Sequence, residues 1–195
     1  SNSGGSAIFV GDVTAGNLSL TTTETGSIIQ STKFKGGELN LVTNNGNVEV
    51  TATTGDLSIG SLSLGSGSAT IEASAGTIND AASDTTVDFV AGSATLKGTS
   101  IGNSQPIELG TVATIDITAS SGTINGNSAA SSGTSLTASA VSDAIIFENS
   151  AGALEIASLN SGGAVSLTSS GAITQTGAIL NNGQTISLAA GLSND

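Results

Sequence analysis

The chain has no cysteine, histidine, methionine, tryptophan or tyrosine, and its 195 residues include one proline, Pro106. Without cysteine there are no disulfides, no thiol nucleophile and no thiolate metal site. Without histidine the usual general base and the commonest metal ligand are both missing. Aromatic residues make up 2% of the chain, all of them phenylalanine: Phe9, Phe34, Phe89 and Phe147. No arginine occurs, and the positive side chains are Lys33, Lys35 and Lys97. The formal net charge of −12 and the pI of about 4.1 exclude a basic face for nucleic acid or for an anionic membrane surface. No apolar run approaches the ~18 residues a spanning helix needs. With no imidazole to titrate, stability is expected to be nearly flat between about pH 5.5 and 8.

What is present is aliphatic, small and patterned. Hydrophobic residues make up 37% and mean hydropathy is +0.25, too apolar for a disordered chain. The apolar residues come in alternating pairs: Leu18-Ser-Leu20, Leu39-Asn-Leu41, Leu57-Ser-Ile59, Ile115-Asp-Ile117, Leu154-Glu-Ile156, Val165-Ser-Leu167 and Ile186-Ser-Leu188. Period-two alternation over a few residues predicts short strands with one buried face. The pairs recur. Leu18 to Leu39, Ile115 to Leu136 and Val165 to Ile186 are each 21 residues apart. A Gly-x-apolar step follows many of them, as in Gly26-Ser-Ile28, Gly46-Asn-Val48, Gly76-Thr-Ile78, Gly122-Thr-Ile124 and Gly171-Ala-Ile173. A longer echo links "GDLSIGSLSLGSGSATIEASAGTI" (55–78) with "GALEIASLNSGGAVSLTSSGAI" (152–173). Each phenylalanine stands a few residues before a strand opening.

A period near 20 containing two or three short strands is what one winding of a β-solenoid requires. Successive windings stack at ~4.8 Å, backbone on backbone, with like residues in interior columns. Glycine and asparagine serve the corners, as at Asn44-Asn45-Gly46 and Asn181-Asn182-Gly183. We expect a single all-β domain over residues 1–195, a parallel β-helix of nine or ten coils and on the order of 45 Å long. Small loops are expected near Ser66 and Asp80, where the spacing departs from 21. The opening, "SNSGGSAIFVGDV", reads as mid-repeat, so we expect a segment of a longer repeat protein or a filament subunit. The rival is an antiparallel sandwich, because Asn45-Gly46 between "LNLVT" and "NVEV" is also a hairpin signal.

The phrases "GNLSLTTTETGSIIQ", "GAVSLTSSGAITQTGAI" and "QTISLAAGL" resemble the repeats of filamentous-haemagglutinin-like adhesins and related giant bacterial β-strand-repeat proteins. The likeness runs from about Gly11 to Leu192. It implies a right-handed parallel β-helix, export from the cell, and a place in a long surface or secreted fibre.

Several motifs invite a chemical reading. Gly98-Thr-Ser100-Ile-Gly102 matches a nucleophile elbow, but lacks a histidine base and reads better as a coil corner. Asp80, Asp84 and Asp88 are spaced four apart, without the alternating acids and closing glutamate of a calcium loop; a solvated loop is expected. Glu72, Asp116 and Glu155 fall on outward strand positions, where they aid solubility, and not in a glycosidase pair. The threonine runs (21–23, 51–54 and 85–86) do not recur at the coil period, as an ice-binding face would need. We therefore assign no catalytic, cofactor-binding or metal-ligating residue and no cofactor, and expect a non-catalytic structural segment of an extracellular fibre or adhesin stalk. Its expected partners are itself or neighbouring repeats by end-to-end coil stacking, with no nucleic acid and no membrane insertion. A carbohydrate- or surface-binding module is the alternative, with surface glycans contacted through Asn79–Thr86 or Asn125–Ser132.

Overall fold

A computed structural model describes residues 8–10, 17–22, 28–30, 38–82 and 84–191, and these hold twenty strands and no helix. The strands form two ten-stranded sheets, and every pairing between strands is parallel. In the first sheet the order is β1 (Ile8–Val10), β3 (Ile28–Gln30), β5 (Val48–Ala52), β7 (Ser68–Ala73), β10 (Ser93–Gly98), β12 (Thr114–Ala119), β14 (Thr134–Ala140), β16 (Leu154–Ser161) and β18 (Ile173–Gln175). Off that path, β19 (Ile179–Asn181) also pairs with β16. The second sheet runs β2 (Asn17–Thr21), β4 (Glu38–Val42), β6 (Leu57–Ser63), β9 (Phe89–Val90), β11 (Ile107–Leu109), β13 (Ile124–Ser128), β15 (Ile145–Asn149), β17 (Val165–Ser169) and β20 (Ile186–Ala190), with β8 (Ile78–Asp80) also on β6. The chain alternates between the sheets, so each winding adds a layer to both. β4 and β5, which flank Asn45-Gly46, lie in different sheets, and the hairpin and the sandwich built from it are excluded.

The 21-residue spacings of the sequence are the register of the stack. Leu18 pairs with Leu39, Ile115 with Leu136 and Val165 with Ile186. The Gly-x-apolar steps end on the first residue of a strand: Val48, Ile78, Ile124 and Ile173 open β5, β8, β13 and β18. Gly26 lies outside the described residues. From Glu38 to Gly191 the chain makes about seven turns of about 21 residues. The nine or ten expected were counted over all 195 residues, which include the chain before Glu38 with β1, β2 and β3.

The core lies between the sheets. One column runs Leu57, Ile78, Ile101, Ile124, Ile145, Val165 and Ile186 through successive layers. Facing it, Val50, Ile71, Leu96 and Ile117 stack on the first sheet. Phe89 and Phe147 are fully buried inside β9 and β15, so each belongs to one sheet and precedes the next strand of the other. Phe34 lies outside the described residues.

Where a column turns polar, every polar side chain has a partner. Below Leu109 the inward positions are Ser128, Asn149 and Ser169, all fully buried. Asn149 Nδ2 donates to the Ala153 carbonyl at 2.7 Å and Ser169 Oγ to that of Gly152 at 2.7 Å. These side chains satisfy corner carbonyls that the strands leave over.

The corners are clipped from coil to coil. Asn45, with φ of 60°, is the one non-glycine residue in the left-handed region among the described residues, and its Oδ1 accepts from Ser66 N at 2.8 Å. Asp56 Oδ1 accepts from Thr77 N at 2.8 Å. Gly76 packs so closely on the Gly55 carbonyl that a Cβ would collide with it. At Ser66 the chain makes a tight turn closed by Gly67 N to the Leu64 carbonyl at 2.9 Å, not the loop expected there.

Two strands carry a bulge. In β6, Ile59 pairs with Leu39 and Ser61 with Asn40, leaving Gly60 over. In β16, Ile156 pairs with Leu136 and Ser158 with Thr137, leaving Ala157 over. These are the equivalent positions of the long sequence echo, Leu57-Ser-Ile-Gly-Ser-Leu62 and Leu154-Glu-Ile-Ala-Ser-Leu159. In each case the next layer is split, into β8 and β9 on β6 and into β18 and β19 on β16.

The last winding is different. Val165 and Leu167 are 2% and 1% exposed, whereas Ile186 and Leu188, stacked directly on them, are 42% and 50% exposed. Among the described residues their inner faces have a layer on one side alone. Replacing Ile124, in the middle of its column, by alanine should therefore cost about 2–5 kcal/mol, while Leu188→Ala should cost under about 1 kcal/mol; chemical denaturation of the two variants measures the difference.

Candidate functional site

Alternation along β8 puts Ile78 in the core and Asp80 in register with buried Ile59. An aspartate there cannot continue the aliphatic column, and the chain leaves the sheet. Asp80 Oδ1 accepts from Ala82 N at 2.8 Å and Oδ2 from Asp84 N at 2.9 Å. Asp84 Oδ1 in turn accepts from Thr86 N at 2.6 Å. The chain rejoins the sheet at Phe89, which pairs with Leu62. Between the pairs Ile59–Asp80 and Leu62–Phe89, three residue steps on β6 face nine on the following winding. A second insertion, unanticipated from the sequence, follows one layer later. There Ile101 bridges to Ile124 and Ile107 pairs with Gly126, so the five residues Gly102–Pro106 stand opposite Asn125 alone, four of them extra. Val87 fits over Gly110, where a Cβ would come within 2.6 Å of Val87 Cγ1.

The return of the first insertion brings acids together. Asp88 N donates to the Glu108 carbonyl at 2.9 Å, and Glu108 N donates to Asp88 Oδ2 at 3.1 Å. Asp80, Asp88 and Glu108 each place one carboxylate oxygen within 4.8 Å of the others. They are 5%, 4% and 3% exposed. The solvated loop expected for Asp80, Asp84 and Asp88 is thus found for Asp84 alone, which is exposed. The other two are buried because the loop folds back on the next winding. Glu108 carries no signal of its own in the sequence, since "PIELG" looks like any strand with one outward acid. The available signal was its separation of 20 residues from Asp88, one coil.

Burial sets the electrostatics. Loss of solvation pushes the Asp88 carboxyl up to about 8. The Glu108 backbone N–H opposes this, and the Glu108 side chain and the Asp80 charge add to it. Glu108 is raised as well, first by burial, with its hydrogen bond to Asp88 opposing and the charges of Asp80 and Asp84 contributing. Lys97, the lysine among the described residues, is on β10 in the other sheet. Glu108 Oε2 is buried and has no hydrogen-bond partner.

The other sequence candidates are dispersed. Ser100 Oγ, in the nucleophile-elbow pattern, donates to the Thr123 carbonyl at 2.9 Å, in the turn after β10 and with no helix following. Glu155 accepts from Ser135 Oγ at 3.1 Å and Thr176 Oγ1 at 3.2 Å. It borders an open depression of about 300 Å3 with Ser132, Gly133, Ser135 and Thr174, which presents hydroxyls and one carboxylate but no ring. Of the proposed glycan loops, Asn125–Ser128 is part of β13, so only Ala129–Ser132 forms a turn there. No helix among the described residues is long and apolar enough to cross a membrane.

The fold defines a class: this is a parallel β-solenoid, a protein of stacked repeats. Set against known proteins, the chain matches no family model, no curated protein and no solved structure.

The buried acids predict a pH dependence of stability in place of a flat profile. Asp88 titrates near 8 when folded and near 3.8, its ordinary value, when unfolded. The folded state therefore holds the extra proton between those values, and stability falls as pH rises from about 4 through about 8. Thermal melts in chelator should show a midpoint decreasing from pH 5 to pH 9. Asp88→Asn should flatten that profile.

Proposed function

We propose that the chain is a structural, non-catalytic segment of an extracellular fibre, filament or adhesin stalk on a bacterial surface. The observation that carries this reading is the stack itself, two parallel sheets in register around a continuous aliphatic core. Along one column Ile124, Ile145, Val165 and Ile186 keep register through successive windings. A lattice of this kind is extended by whatever winding is laid on it next, a following repeat or another copy. Parallel ladders over two sheets and a continuous aliphatic core suit a stiff rod, and the many serine, threonine and asparagine side chains suit an aqueous exterior. The likeness of "GAVSLTSSGAITQTGAI" to fibre-forming adhesin repeats supports the location outside the cell.

Immunogold electron microscopy of intact source cells checks the location. Label along surface projections or shed fibres is expected, and label confined to the cell interior would end the proposal. End-to-end stacking has its own test. Light scattering of the isolated chain should show mass rising with concentration, and Leu188→Lys should abolish the rise. A strictly monomeric chain at high concentration rules stacking out.

A further inference from the structure

Three buried carboxylates in one place need an opposite charge or protons. Asp80 ends β8, Asp88 closes the inserted segment and Glu108 lies on the next winding, with one oxygen of each inside a 4.8 Å span. The two hydrogen bonds that Asp80 accepts shape the loop, and each of its oxygens retains a lone pair. The unpartnered Oε2 of Glu108 is a separate observation. Its residue is 3% exposed and the atom meets no donor. A buried acceptor without a partner is costly and rare in native proteins. A cation among the three side chains would give that oxygen its missing partner. Lys97, on the other sheet, is not placed to do so.

We propose that Asp80, Asp88 and Glu108 hold one calcium ion, which fastens the inserted segment of one winding to the strand of the next. All three ligands are carboxylate oxygens, the donors preferred by hard cations. Calcium accepts a cage of carboxylates and backbone carbonyls with variable geometry, whereas magnesium retains waters in a strict octahedron. A closed cluster enclosed by a loop suits the former. The site joins residues from two layers, so the ion would act as an inter-coil clip, in the way Asn45 and Asp56 do by hydrogen bonds.

Isothermal titration calorimetry of chelator-treated protein with calcium chloride tests the site. One ion per chain is expected, together with a saturable rise in thermal midpoint. Glu108→Gln and Asp80→Asn, each checked for an unchanged far-ultraviolet circular dichroism spectrum, should weaken binding by about tenfold or more. Asp116→Asn, on an outward position of β12, should leave it unchanged. Wild-type protein with no binding heat and no midpoint shift at millimolar calcium would overturn the proposal in favour of a shared proton. So would several weak equivalent sites, or a shift that persists in both cluster variants, because these report screening of the overall negative charge. The wild-type stoichiometry decides the matter even if a variant fails to fold.

Discussion

Every layer of this protein rests on its neighbour's backbone. A parallel ladder in two sheets satisfies the peptide groups of one winding with those of the next, and no winding has an interior of its own. The column Leu57, Ile78, Ile101, Ile124, Ile145, Val165, Ile186 is the side-chain expression of that dependence. An aliphatic residue there is buried by what lies above and below it, which is why the same column changes from 2% exposure at Val165 to 42% at Ile186. Few aromatics are needed, since a core one winding thick is filled by Leu, Ile, Val and Ala.

The same constraint explains where irregularity is tolerated. A bulge or an insertion must leave the inward positions in register on both sides. Gly60 and Ala157 do so by standing aside as single extra residues, and the split strands above them restart on the correct residue, as at Phe89 on Leu62. Extra chain is thereby pushed outward. The segment between Asp80 and Phe89 can carry polar groups that the columns cannot, and it folds back far enough to enclose Asp88 and Glu108. The acid cluster is thus a by-product of a register that has to be kept.

A fibre segment and a buried cation clip are compatible uses of such a stack. The first depends on the regular ladder and the second on a defect along its side. Neither requires an open cleft, and the three acids, at 3–5% exposure, are closed to a sugar or peptide.

Much of this fold was legible beforehand, because its period is a property of the chain. The 21-residue spacings became pairs in register, and the Gly-x-apolar steps became strand openings, since a stacked winding must return to the same place after the same number of residues. The echo between 55–78 and 152–173 was equally visible, but not its meaning: the two copies lie in different sheets and mark bulges. The cluster was hidden for a related reason. Asp80 and Asp88 sit in a loop that composition reads as solvated, and Glu108 has the pattern of an ordinary outward acid. Alternation and repeat length, both local, determined the solenoid. Burial of the acids depended on how an inserted loop folds across a layer boundary, and only the tertiary structure could decide that.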